Sequence, residues 1–195
     1  MEEVQESKSE IRERIISDIQ SLAEADLATK TSQIADRLFG FANFLEAHIA
    51  LLYMSHQNVV DTQDIVRRCF EYRKIVALPA FQVEKFGMQL FKVDDFDADM
   101  KMGPRHIMEP DPEKCKIIPI ERIDIAIIPG VALDEKGGRI GSGEGYYDRF
   151  IGKLPITTRK VALSLECQIV PQIPMESHDK YMDIIITEDR IIYKI

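Results

Sequence analysis

The chain has 195 residues, of which 45% are hydrophobic and 30% charged, with only ten Gly and nine Pro. That is the composition of a globular protein, which excludes a disordered, collagenous or low-complexity chain. Lys and Arg number 25 against 33 Asp and Glu, a formal charge of −8; this argues against a general nucleic-acid surface and leaves room for a local basic pocket that takes an anion.

Ser7 is a candidate N-cap, and Glu10 three residues later completes a capping box. Ile11, Ile15, Ile19 and Leu22 then recur on one helical face. A second helix is expected over residues 32–46, with Ile34, Leu38, Phe41 and Leu45 on its apolar side. Residues 48–54 have strand character. Asp61 or Thr62 opens a helix through Ile65, Val66 and Cys69, and a short apolar run from Ile75 stops at Pro79. Residues 88–93 alternate weakly, an acidic stretch follows (Asp94, Asp95, Asp97, Asp99), and the three prolines of residues 103–112 predict a loop. Residues 123–128 are apolar at nearly every position, as expected of a strand buried on both faces. Beyond a glycine-rich stretch, residues 146–154 read as a helix and Val161, Leu163 and Leu165 alternate as a strand. Ile184–Ile186 with Ile191–Tyr193 reads as a hairpin around Glu188-Asp189. This alternation predicts an α/β fold: a mostly parallel sheet flanked by helices with right-handed crossovers, preceded by an N-terminal helical segment. With no internal repeat and no linker, residues 1–195 read as a single domain.

No apolar run approaches the roughly 18 residues of a membrane helix, and the acidic start MEEVQESKSE does not read as a signal peptide. Cys69, Cys115 and Cys167 are scattered and odd in number. His48, His56, His106 and His178 form neither H-E-x-x-H nor a Cys/His cluster. A reduced, cytoplasmic protein without a structural zinc site is the expectation.

The chemistry concentrates in residues 129–149, P-G-V-A-L-D-E-K-G-G-R-I-G-S-G-E-G-Y-Y-D-R. Gly141, Gly143 and Gly145 leave backbone N–H groups uncovered at the start of a helix, a setting that suits phosphate. The stretch is neither a P-loop nor G-x-G-x-x-G, because Tyr146 sits where the last glycine should be. The alternative is a turn that lets strand and helix pack closely. Asp148, in the first turn of that helix, is either a favourable charge on the helix dipole or a hard oxygen ligand for Mg²⁺ beside a polyphosphate. Lys8 and Arg12, four residues apart, share one helical face. They are either a solvated charged pair or, since Lys8 stands against its own helix dipole, partners of an anion. Asp179 after His178 and Glu109 before Pro110 are open in the same way, between a turn or surface loop and a ligand contact.

These residues resemble the 5-formyltetrahydrofolate cyclo-ligase (5,10-methenyltetrahydrofolate synthetase) family. Its pattern, roughly P-G-x-A-F-D-x-x-G-x-R-L/I-G-x-G-x-G-Y-Y-D-R, is followed by residues 129–149 with few changes. Lys8 and Arg12 resemble the family's N-terminal K-x-x-L/I-R. Met108-Glu109-Pro110 resembles its I/L-x-E-P loop. Leu163 to Gln168, Ile173-Pro174 and His178-Asp179 resemble its G-L-A-F/Y-x-x-Q, x-I/V-P and H-D elements. In that order the match runs over residues 8–188.

The resemblance implies an ATP- and Mg²⁺-dependent ligase that converts 5-formyltetrahydrofolate to 5,10-methenyltetrahydrofolate, releasing ADP and phosphate. Phosphorylation of the formyl oxygen would turn a poor leaving group into a good one before N10 attacks, so that catalysis is positioning and charge neutralisation. Carried over by motif, Lys8 and Arg12 hold ATP phosphates. Arg139 and the loop of Gly141, Ser142, Gly143, Glu144, Gly145, Tyr146 and Tyr147 cradle the nucleotide and shape the folate pocket, with Arg139 and Tyr146 as the catalytic pair. Met54, Val59, Glu109 and Tyr146 contact the folate, and Asp148 and Asp179 hold Mg²⁺. Small-molecule folate and ATP are then the partners, with neither nucleic acid nor membrane involved and a monomer favoured.

Three positions depart from the family pattern. Val59 stands where E-V/I-D/E-T has its Glu, with Asn58 the nearest polar replacement, and loss of such a partner commonly costs about 1–3 kcal/mol. Ser142 replaces a Tyr or Arg. Glu144 replaces a Gly or Lys and adds negative charge beside the phosphates unless it turns outward or contacts metal. These departures keep two other readings open: a nucleotide- or folate-binding paralogue without turnover, and a phosphate-cradling enzyme of another class, such as a sugar-phosphate or acyl-transfer enzyme.

Overall fold

The computed structural model describes residues 6–55 and 59–194. The first helix, α1 (Lys8–Gln20), forms as its capping box dictates: the Ser7 N–H donates to Glu10 Oε2 at 2.8 Å, and the Glu10 N–H donates to Ser7 Oγ at 3.3 Å. Ile11, Ile15 and Ile19 are its buried face. The second helix differs from expectation. α2 (Glu24–Phe39) begins earlier and ends at Gly40, and α3 (Ala42–Glu46) is a separate turn. Its N-cap, Ala23, offers no side-chain hydrogen bond, so the usual sequence signal for a start is missing. Phe44, not Leu45, is the buried residue of α3.

The strands are β1 (Ile49–Leu51), β2 (Ile75–Gln82), β3 (Gly87–Val93), β4 (Met100–Met102), β5 (Met108–Pro110), β6 (Lys116–Ile117), β7 (Ile125–Ile128), β8 (Ala132–Asp134), β9 (Arg139–Ile140), β10 (Arg159–Leu163), β11 (Ile169–Val170), β12 (Ile184–Ile186) and β13 (Ile191–Tyr193). The other helices are α4 (Gln63–Glu71), α5 (Phe96–Asp99) and α6 (Tyr146–Ile151). The main sheet has the order β13-β12-β10-β7-β1-β2-β3-β6. The stretch from β12 to β2 is parallel, whereas β13 at one edge and β3 and β6 at the other are antiparallel. β8, β9 and β11 form a small sheet, and β4 pairs with β5.

Alternate residues of the parallel strands go to opposite faces, as the pleat requires. Ala50, Val76, Ile125, Ile127, Val161 and Leu163 pack with residues of α1 to α4. Leu51, Ala77, Ala126, Ile128 and Ala162 pack with Phe150 and Ile151 of α6. A sheet covered on both faces explains why the β7 residues 125–128 are all apolar.

Two further boundaries needed three-dimensional context. β2 continues through Pro79 to Gln82 because β1, its neighbour on one side, has already ended, its last bond to β2 running from the Leu52 N–H to the Ala77 carbonyl. Pro79 is opposite Leu90, whose carbonyl is bonded away from β2, to the Ile118 N–H. The missing N–H of Pro79 therefore faces no acceptor and costs the ladder nothing. Within the expected loop 103–112, Met108–Pro110 is a strand paired with β4. The acidic stretch caps itself: Asp95 accepts the N–H groups of Asp97 and Ala98, and Asp99 those of Asp94 and Asp95.

Candidate active site

From β1 the chain passes to β2 on one side, and β7 later joins β1 on the other. The carboxyl ends of β1 and β7 thus diverge at a topological switch point, the usual ligand crevice of an open α/β sheet. A cavity of about 400 Å³ opens there, walled by Tyr53 and Met54 beyond β1 and by Pro129, Gly130 and Val131 beyond β7. Val59 is on the same wall. It is fixed by neighbours that face away, since the buried Tyr53 hydroxyl donates to the Val60 carbonyl at 2.8 Å and the Thr62 hydroxyl donates to the Tyr53 carbonyl. Asp61 caps α4 through the Gln63 N–H at 3.0 Å. Asn58 lies outside the described residues.

The β8–β9 hairpin delivers Arg139. The buried Asp134 carboxylate accepts N–H groups from Lys136 at 3.0 Å, Gly138 at 2.8 Å and Ile173 at 2.8 Å, closing the turn and tying it to the 173–179 segment. At Gly137 φ is +87°, and a Cβ would lie 2.3 Å from the Met182 carbonyl oxygen, so only glycine fits. The Gln168 amide donates to the carbonyls of Gly130 and Val131, fixing the Pro129-Gly130 corner. Arg139 is buried, donates to the Pro129 carbonyl at 2.9 Å and pairs with Asp148, while its Nε–H has no partner among the described residues.

Beyond β9, the N–H groups of Ser142, Gly143, Glu144 and Gly145 donate to no protein acceptor among the described residues. Because α6 has only six residues, its dipole is small. The loop's own N–H groups carry the capacity to bind an anion.

Across the cavity α1 presents Lys8 and Arg12. Arg12 donates to the Gly141 carbonyl at 3.0 Å and has no acidic partner among the described residues. Lys8 pairs with Asp179 and reaches Glu176 at 3.4 Å. Burial pulls the Lys8 ammonium down, but the bonds and charges of Asp179 and Glu176 outweigh it and hold it above its ordinary value. Burial likewise pushes the Asp179 carboxyl up, and Lys8 with the Glu176 N–H outweighs that and holds it below the ordinary range. Lys8 thus finds its anion within the protein, which accounts for a cation in the first turn of a helix.

The remaining wall is apolar and aromatic: Phe81, Ile107, Tyr146 and Tyr147. Burial pushes the Tyr147 phenol well up, against the pull of Arg105 and Arg139, so it is a neutral wall and not a base. Arg105, which the sequence reading passed over, sits 4.4 Å above the Phe81 ring and 4.9 Å from the Tyr146 ring and pairs with Glu144. Five cations, Lys8, Arg12, Arg105, Arg139 and Arg149, line the cavity of a protein of net charge −8.

Of the residues singled out by sequence, Lys8, Arg12, Met54, Val59, Arg139, Gly141, Ser142, Gly143, Gly145, Tyr146, Tyr147, Asp148 and Asp179 all line this cavity. Glu109 and Glu144 do not. Glu109 is buried behind Phe81, accepting its N–H at 2.6 Å, with its other oxygen unpaired among the described residues. Glu144 turns outward onto Arg105.

Residues 4–188 match the 5-formyltetrahydrofolate cyclo-ligase family. The chain belongs to that family. The cyclo-ligase of Escherichia coli strain K12 is 29% identical over 82% of this chain and 88% of its own length. The probable cyclo-ligase of Schizosaccharomyces pombe is 28% identical over 96% of this chain and 98% of its own. The NMR structure of Aquifex aeolicus 5,10-methenyltetrahydrofolate synthetase superposes with a TM-score of 0.85 at 26% identity, covering 96% of this chain and 92% of that one.

As a cyclo-ligase family member the chain can be tested for fit to its expected ligands. Asp179 Oδ2 is taken by Lys8 and the Glu176 N–H, but among the described residues Oδ1 meets only His178, at 3.5 Å. Asp148 gives Arg139 one oxygen, Oδ1. Each carboxylate therefore keeps a hard oxygen, which suits a Mg²⁺ held by one or two carboxylates and phosphate. Glu176, His178 and Asp179 offer ligand atoms within 4.8 Å of one another. The departure at Glu144 is compensated, because Arg105 neutralises it. Among the described residues nothing replaces the family's Glu at Val59, which presents an apolar surface there. Arg105 and Phe81 were missed for a definite reason: Arg105 lies in a Pro-bounded segment without periodicity, and Phe81 lies beyond Pro79, where the strand was expected to have ended.

Proposed function

We propose that this protein converts 5-formyltetrahydrofolate to 5,10-methenyltetrahydrofolate with consumption of ATP, acting as one domain over residues 1–195. The observation that carries the reading is the convergence of residues from four separate motifs (Lys8 and Arg12, Val59, residues 129–149, and His178-Asp179) on one cavity at the sheet's switch point. Lys8, Arg12 and the uncovered N–H groups of residues 142–145 hold the triphosphate. Asp148 and Asp179 hold Mg²⁺, which when bound draws charge from the phosphoryl oxygens. The apolar wall of Met54, Val59, Tyr146 and Tyr147 receives the flat ring system of the folate. It also excludes water from the formyl group while its oxygen is phosphorylated.

Arg139 is the residue closest to catalysis. Its guanidinium is anchored at Pro129 and Asp148 and aligned before any ligand arrives, so charge that develops on the transferred group meets a cation that does not reorganise. Tyr146, wedged edge-on against Phe81 at 5.1 Å between ring centres, fixes the ring so that N10 faces the activated carbon. Among the described residues no helix is long and apolar enough to cross a membrane.

The test is the growth of methenyltetrahydrofolate absorbance from 5-formyltetrahydrofolate, ATP and Mg²⁺, with controls lacking each. Growth that needs all three is the expected result. A flat trace from folded protein that still binds ATP would leave the paralogue without turnover.

A further inference from the structure

The cations of the cavity divide into two groups. Lys8, Arg12, Arg139 and Arg149 are bonded to Asp179, the Gly141 carbonyl, Asp148 and the Glu144 carbonyl. Arg105 is held elsewhere, in the corner between Phe81 and Tyr146, with only 16% of its side chain exposed. Among the described residues its one ion-pair partner is the carboxylate of Glu144, a side chain 52% exposed on the glycine-rich loop. A guanidinium fixed against aromatic faces presents a flat fork of donors, the geometry that takes a carboxylate through two parallel bonds. The protein itself thus holds a carboxylate against Arg105 at the rim of the cavity's aromatic end, on a half-exposed side chain.

Resting on the folate reading above, we infer that Arg105 is the receptor for the α- or γ-carboxylate of the folate's glutamate tail, and that Glu144 occupies it until the substrate enters. The ring system lies against the apolar wall and the tail carboxylate displaces Glu144. Glu144 is a built-in competitor, and it sets substrate affinity without touching the reacting atoms. A merely structural bridge between the 103–107 and 141–145 loops makes the opposite demand: both partners would then support the site, and losing either would weaken it.

The experiment is calorimetric binding of 5-formyltetrahydrofolate, and of 5-formyltetrahydropteroate, which lacks the glutamate. The proteins are the wild type, Arg105→Gln, Glu144→Gln and the double variant, with KM for folate and for ATP measured alongside. Arg105→Gln is expected to raise Kd for the complete folate by about tenfold or more, the loss of a hydrogen-bonded charge pair, and to leave the pteroate unchanged. Glu144→Gln is expected to lower Kd by roughly two- to fivefold, the strength of a half-exposed ion pair, and to have no effect once Arg105 is gone. Weakening by both single variants, or equal effects on the pteroate, overturns the inference. A change in KM for ATP alone assigns Arg105 to phosphate and overturns it as well. A wild type that binds neither compound overturns the folate reading, a result distinct from a wild type that binds both while the variants change in the same direction.

Discussion

Lys8 and Asp179, 171 residues apart, form an ion pair at the mouth of the cavity. Asp179 also accepts the Glu176 N–H at 2.8 Å, so one carboxylate shapes its own turn and anchors the start of α1. The pair stores a cation and the acid proposed to hold Mg²⁺ side by side, so that bound phosphate and Mg²⁺ would separate them without leaving either unpartnered.

Lys8→Ala should therefore weaken binding of MgATP by about tenfold or more, while Asp179→Asn should raise the Mg²⁺ concentration needed for half-maximal turnover. Titration calorimetry and a Mg²⁺ series check the two. Nucleotide affinity unchanged in Lys8→Ala would remove Lys8 from the phosphate site.

Glu109 predicts a pH effect on stability. Burial pushes its carboxyl up from the ordinary value of 4.5, against the pull of the Phe81 N–H, Arg105 and Lys101. The folded state then holds the Glu109 proton more tightly than the unfolded chain does. Stability declines as pH rises from about the ordinary glutamate value through the raised folded one, and levels off above it. In Glu109→Gln this component disappears. Melting temperatures from pH 4 to pH 8 should fall less steeply in the variant, and parallel curves would contradict the assignment.

Lys74 is buried, and its ammonium donates to the carbonyls of Phe44, Leu45 and Ala47 at the end of α3. Lys74→Met keeps the stem and removes the donors, leaving these carbonyls unsatisfied. A loss of about 2–3 kcal/mol in denaturant unfolding is expected, with ligand affinity unaffected.

Two glycines with positive φ should separate fold from function. Gly137→Ala drives a Cβ against the Met182 backbone, and a loss of roughly 3 kcal/mol or more is expected from clash and backbone strain together. Gly143 has φ +104°, but its nearest neighbour is the Arg12 guanidinium at 3.9 Å. Gly143→Ala should cost about 1–2 kcal/mol and chiefly disturb nucleotide binding. Thermal melts set against nucleotide titrations discriminate the two.

The residues that were legible in the sequence are those whose signals are local. Ser7 and Glu10 announce α1 because the capping box involves only neighbours. Residues 125–128 announce β7 because burial on both faces leaves no polar position there. The hairpin of β12 and β13 closes where Glu188-Asp189 was expected to turn it. What could not be read depends on partners distant in sequence. Pro79 is tolerated only because β1 stops short, and α2 begins without a capping side chain. Glu109 and Glu144 carry the motif spacing of ligand contacts, but the Phe81 N–H and Arg105 draw them away from the cavity. Spacing identifies which residues share a segment; it does not say which way each side chain points.

The separation of Lys8 from Asp179 has a consequence for synthesis. A ribosome makes α1 first and the acid that receives its leading cation near the end. A nascent chain can complete α1, α2 and the β1–β2 pair while Lys8 still has no access to Asp179. The cavity is thus closed late, and a chain truncated before residue 179 would lack β12, β13 and the acid that partners Lys8, while retaining the residues of β10, β7, β1, β2, β3 and β6.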